Sequence, residues 1–110
     1  MKMIAVKMHG RDDTDNDFVE LDLLNEINFI DLWQRTSNSA KVLAYHTGHG
    51  SYISVTTLSD ISKICHKYGF EMMGDAVVNS SRIDHVKSID NNGSIVKFAD
   101  GTQIHVKKQI

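Results

Sequence analysis

Proline is absent from the chain, so every reversal has to be made by its seven glycines and by Asn and Asp. There is one cysteine, Cys65, which excludes an internal disulfide and a zinc site built from several thiolates, and which fits a reducing compartment. No apolar run approaches the roughly 20 residues of a membrane helix. The N-terminus alternates Lys2, Ile4 and Val6 with Met3, Ala5 and Lys7, where a secretory leader would carry an unbroken apolar core, and a cytoplasmic location is expected. An excess of base is missing too. Twelve Lys and Arg stand against 14 Asp and Glu, a formal net charge of −2, so any surface that meets phosphate must be local. Residues 1–55 hold eight acids and five bases, residues 56–110 six acids and seven bases, and every ionisable side chain from Asp12 to Asp31 is acidic. That acidic stretch is expected to face away from nucleic acid.

What is present is the composition of an ordinary globular domain: 110 residues, 41% hydrophobic and 24% charged, with no repeat, linker or low-complexity tract. Residues 1–110 are therefore read as a single domain. Short alternating or apolar segments predict strands at 3–8, 18–23, 27–33, 41–46, 52–55, 76–78, 85–89, 94–98 and 103–106. Between them Gly48-His49-Gly50, Asn91-Asn92-Gly93 and Asp100-Gly101 supply residues that tolerate positive φ, and each is expected to close an antiparallel hairpin, Asn91-Asn92-Gly93 most clearly. One segment has helical spacing instead. Leu58, Ile61, Ile64, Cys65 and Tyr68 predict an amphipathic helix over 57–68, with Thr57 and Asp60 at capping-box spacing and Gly69 as a left-handed terminator. A very short helical turn is expected at 80–83. The fold class is thus mainly β, a β-rich α+β arrangement of antiparallel sheets and hairpins with one amphipathic helix.

The chemistry-bearing residues do not assemble into a familiar site. Asp13, Asp15 and Asp17 match the first ligands of an EF-hand loop, but Phe18 stands where the glycine is needed and Leu24 where the bidentate Glu should be. A solvated acidic loop is expected there. His46 and His49 are spaced across a turn with no Cys or Glu beside them, so a structural or solvent-facing role outweighs a metal. Cys65 falls among apolar helix neighbours, which would raise its thiol pKa, and Ser80 and Ser81 lack a glycine elbow. No enzyme and no cofactor are expected.

The order of features from residue 27 onward carries a resemblance. A strand at 27–31 is followed by a variable loop, the strand Lys41–Thr47, a Gly-His-Gly turn, Ser51–Val55, and Thr57-Leu58-Ser59-Asp60-Ile61 opening the helix. Then come Phe70, a strand ending in Val78-Asn79, apolar Ile83, a glycine-closed hairpin over 89–98, and a last strand ending in Lys107-Lys108. This order resembles the LytTR family of DNA-binding domains, in a stand-alone form without a receiver domain. Two departures accompany it. Met72-Met73-Gly74-Asp75 stands where the family carries basic residues. The family asparagine aligns either with Asn79 or, in a register matching Arg82–Ile89, with Arg82.

The resemblance implies a transcription regulator that reads double-stranded DNA through loops of a β fold, reaching successive major grooves and bending the duplex between them. Carried onto this sequence, the first contact candidates are Arg35, Ser37 and Asn38 in the loop after the 27–33 strand, with Lys41 at its far end. Arg suits guanine and Asn suits adenine bidentately. Asn79 and Arg82 form a second group, although Asn79 equally suits a buried Asx turn. Lys107 and Lys108 are the third, suited to phosphate. A homodimer, or tandem occupancy of repeated half-sites, would raise the affinity of so small a module. The competing reading is a LytTR-derived protein-interaction module that has lost DNA binding, using Phe29, Trp33 or Tyr52; a ligand or metal sensor built on His46 and His49 is a third.

Overall fold

A computed structural model describes residues 2–54, 61, 66–90 and 93–107. Ten strands follow one another: β1 (Lys2–Lys7), β2 (Phe18–Asp22), β3 (Ile27–Trp33), β4 (Val42–Thr47), β5 (Gly50–Ser54), β6 (Phe70–Met73), β7 (Ala76–Asn79), β8 (Ile83–Asp90), β9 (Gly93–Phe98) and β10 (Gln103–Val106). Seven form one antiparallel sheet in the order β2-β1-β5-β4-β3-β7-β6, and three form a second in the order β10-β9-β8.

Alternation along β4 explains how the large sheet is used. Leu43 and Tyr45 project into one core with Ile30, Phe70 and Val77, while Ala44 and His46 face the other way. On that second face the small sheet covers the β3-β7-β6 end, and Phe29, Val78 and Met73 pack there against Val96, Phe98 and Val106. Strand β3 therefore has both faces covered, which is why Ile27-Asn28-Phe29-Ile30 is buried without interruption. Each fully buried aliphatic side chain in these two cores contributes about 1.5–3 kcal/mol relative to its exposure.

All nine expected strands are present, shifted by a residue or two at their ends. Strand β6 is additional. It is four residues long, contains Glu71 and two methionines, and buries only its ends, so it carries no alternation to read. Gly74, at φ +67, makes the two-residue reversal that pairs Met73 with Ala76. The three anticipated hairpins pair as expected, but Gly93 is not a positive-φ residue. It lies within β9, where an added Cβ would stand 2.3 Å from His105 Nε2 and 2.9 Å from the Val106 carbonyl oxygen, so glycine is required by close approach.

The helix expected over 57–68, its capping pair and Cys65 lie mainly outside the described residues; Ile61 is buried in the first core and Gly69 has φ +86. The expected short turn is a 3-10 turn over Ser80–Arg82. The acidic loop is less solvated than anticipated: Asp17 is buried, accepting the backbone N–H groups of Asp12 at 2.9 Å and Asp13 at 2.8 Å. Among the described residues no helix is long and apolar enough to cross a membrane.

Candidate nucleic-acid interface

The loop between β3 and β4 is closed by its own small polar residues. Gln34 Nε2 donates to the carbonyls of Ser37 at 3.3 Å and Ser39 at 2.6 Å, Ser39 N–H bonds the Thr36 carbonyl at 3.0 Å, and the two hydroxyls of Thr36 and Ser39 meet at 2.8 Å. These bonds leave Arg35, Ser37 and Asn38 outward and exposed, with no side-chain partner among the described residues. A turn held by internal hydrogen bonds loses less entropy when its side chains dock than a free loop would.

A second loop meets the first across the uncovered part of the large sheet. Residues Met8 to Arg11 fold back over Ile53, Val42 and Trp33, forming a groove of about 590 Å³ whose rim carries both Arg11 and Arg35. Arg11 is steadied by its Nε donating to the Lys7 carbonyl. Behind it, hydrogen bonds from the hydroxyl and N–H of Thr14 hold the Asp12 carboxyl below the usual carboxylate range. Arg11 was not among the residues expected to bind. It precedes an acidic run, and only the fold brings it to Arg35.

Lys41 is exposed at the foot of the same loop, in a smaller groove shared with Asp31, Gln34 and Asp75 of the β6–β7 turn. Gly74 in that turn packs on Lys107, where an added Cβ would stand 3.1 Å from the Lys107 nitrogen. Arg35, Ser37, Asn38, Lys41 and Lys107 thus gather at one end of the molecule. Lys108 lies outside the described residues.

Asn79 and Arg82 lie at the opposite end, with their polar atoms engaged by the protein itself. Asn79 is 0% exposed; its Nδ2 donates to the carbonyls of Leu24 at 3.0 Å and Ile27 at 2.9 Å, and its Oδ1 accepts from Ser81 N–H at 3.3 Å and Ser81 Oγ at 2.8 Å. Both amide hydrogens and the oxygen are used, so no capacity is left for a base. The Arg82 guanidinium is also committed, to Asn28 Oδ1 at 2.7 Å, the Asn25 carbonyl and Asp100 Oδ2 at 3.4 Å. Both residues are braces, because a polar group folded against buried carbonyls must satisfy them.

Asp100 completes that brace, accepting from Asn28 Nδ2 at 2.8 Å and from the Thr102 N–H at 2.9 Å. Partial burial pushes its carboxyl up, but the bonds from Asn28, Thr102 and Arg82 together outweigh burial and hold it at about 2. A carboxylate depressed in the folded state stabilises the fold above its unfolded pKa, and that stability is lost as pH falls from about 4 through 2. Asp100→Asn should therefore lower stability at pH 7 by about 1–2 kcal/mol, allowing for solvent screening, and reduce the further loss on acidification. Urea melts at pH 7 and near pH 2.5 test this; equal melts of variant and parent at pH 7 would show the brace to be idle.

Sequence reasoning also left His46 without a partner. Its Nε2 bonds Asp31 Oδ1 at 2.8 Å, its Nδ1 bonds Ser51 Oγ at 2.7 Å, and its ring stacks on Phe29 with centroids 4.3 Å apart. Ser51 stands directly opposite His46, while Asp31, paired with Ala44, lies diagonal to it on the other neighbouring strand, an arrangement no linear spacing announces. His49 is exposed, and among the described residues no three His, Cys, Asp or Glu side chains are grouped to hold a metal.

No sequence-family profile matches the chain, and no curated protein does. Its structure is similar to that of a LytTr DNA-binding domain from Bacillus cereus, with a TM-score of 0.67 at 10% sequence identity, over 94% of this chain and 84% of that one. The fold is therefore of LytTR type: mainly β, in antiparallel sheets.

Proposed function

We propose that this chain, starting from a LytTR-type fold, is a sequence-specific duplex-DNA-binding module of a transcription regulator. The observation that carries the reading is the loop end of the large sheet, where Arg35, Ser37 and Asn38 stand exposed on a self-braced turn with Arg11 beside them. Arg35 and Asn38 supply bidentate donors for base edges, while Arg11, Lys41 and Lys107 supply cations for phosphate. Lys108 extends the last group. Asn79 and Arg82 position the frame and take no part in contact. The net charge of −2 is compatible with this reading, because Arg11, Arg35, Lys41 and Lys107 serve the loop end while Asp17 is turned inward. Two copies on repeated half-sites supply the affinity that one small module lacks.

Selection of bound sequences from a random duplex pool at two salt concentrations tests the reading. A repeated short motif is expected. Arg35→Ala should erase preference at one base position, a loss of about 1–3 kcal/mol in discrimination, whereas Lys41→Ala should weaken all duplexes alike. Recovery of no motif at either salt concentration would end the proposal.

One observation favours a protein partner instead. On the open half of the large sheet, Ile4 and Phe18 are 69% and 60% exposed beside the edge strand β2, flanked by the Lys2–Glu20 pair. The aromatics first considered for such a surface serve elsewhere: Phe29 is core, Trp33 floors the groove and Tyr52 packs on the first core. Under this second reading Phe18→Ser abolishes partner binding, and no DNA motif is recovered.

A further inference from the structure

The outward face of the small sheet is basic, and neither the acidic front of the chain nor the loop end accounts for it. Pairing of β8, β9 and β10 places His85, Lys97 and Gln103 in one row and Lys87, Ile95 and His105 in the next. All but half-buried Ile95 are exposed. With neighbouring strands about 4.8 Å apart and alternate residues about 6.7 Å apart, Lys87 and Lys97 stand on a diagonal of roughly 8 Å. Lys107 follows directly after β10, in a bend beyond Val106. The His105 ring lies over Gly93, where a Cβ would collide with it. Asp84 is bonded to His85 at 2.8 Å, and no described carboxylate pairs with Lys87, Lys97 or Lys107. The opposite face of the sheet is core. Lys87, Lys97 and His105 thus project from the outward face of a sheet whose other face is packed in the second core.

We infer that this face is a second phosphate-contacting platform, on which the backbone of the same duplex is laid once the loop end has engaged it. The inference rests on the DNA-binding reading and deepens it. Continuity supports this occupant: the chain runs from β10 of this face directly into Lys107, which packs on Gly74 at the loop end. The cations repeat at strand spacing, which suits a sequence-independent polyanion. The longest dimension of the chain, 44 Å, matches about 13 base pairs, so a duplex held only at the loops and one also laid on the platform differ in contacted length.

The test compares the full chain with Lys87→Gln/Lys97→Gln, using a selected duplex of about 10 base pairs and the same site centred in about 25. The parent should bind the longer duplex more tightly and with the steeper salt dependence. The variant should keep its sequence preference and melting temperature, lose most of the length advantage, and show a salt slope on the longer duplex smaller by about 2. Arg35→Ala should show the converse pattern, with preference lost at one base position and slope nearly kept. An unchanged slope in the platform variant, with sequence preference intact, would overturn the platform and leave the loop reading standing. Absence of parental binding to either duplex would overturn both. Salt-sensitive self-association of the parent that the variant abolishes, with its DNA slope unchanged, would assign the face to the acidic edge of a second copy and also overturn the inference.

Discussion

Asn79→Ala is expected to destabilise the fold by about 3–4 kcal/mol, near the upper end for a single substitution, while leaving the DNA affinity proposed for the folded protein unchanged. The side chain is wholly buried and bridges two segments distant in sequence, tying the Leu24 and Ile27 carbonyls to the turn that begins at Ser80. Alanine leaves both carbonyls without their amide partner, and each buried, unsatisfied group costs about 1–3 kcal/mol. It also removes the cap of the 3-10 turn, whose Ser81 N–H the asparagine accepts. Asn79→Asp should be no better, since its carboxylate can still receive Ser81 but faces two carbonyl oxygens it cannot donate to. Urea unfolding followed by fluorescence of Trp33, together with binding titrations below the midpoint, separates the two effects. A variant as stable as the parent but blind to DNA would restore Asn79 to the contact set.

Phe29→Ala should cost about 3–5 kcal/mol, the usual range for an aromatic removed from a packed core. Phe29 stacks on His46 on one side and lies 5.8 Å, centroid to centroid, from Phe98 of the small sheet on the other. It is the point at which the two sheets and the Asp31–His46–Ser51 chain meet, so its loss loosens all three. Unfolding should remain a single transition at a lower midpoint when monitored by far-ultraviolet circular dichroism and by Trp33, because the second core joins the sheets into one cooperative body. Two separated transitions would show the small sheet to be an independent unit. Phe29→Leu, which keeps much of the volume, should recover more than half of the loss.

The local architecture was legible in the sequence for a physical reason. Strand alternation has a period of two, and Gly, Asn and Asp mark reversals, so β1 to β5 and β7 to β10 could each be located from their own residues. Phe70–Met73 escaped because four residues with only their ends buried carry no such period. The acidic loop was recognised as acidic, but the inward turn of Asp17 depends on two backbone N–H groups that the loop itself folds toward it. The resemblance in feature order pointed to the LytTR-type fold that the structural similarity bears out.

By itself, the sequence determined the β class, the hairpins and the loop carrying Arg35, Ser37 and Asn38, all of which follow from short-range pattern and turn chemistry. Only the tertiary structure decided which polar residues face solvent. Asn79 and Arg82 read as contact residues until β7 and the turn after it are packed against the segment from Leu24 to Asn28, whose carbonyls and amide then claim them. Arg11 reads as the border of an acidic run until the loop at 8–11 folds back over the sheet toward Trp33 and Arg35. Lys87, Lys97 and His105 are scattered along the chain and become one face only when three strands pair in register. Alternation says which residues share a side of one strand; strand order and register, set by the burial of both cores at once, say which sides become a surface.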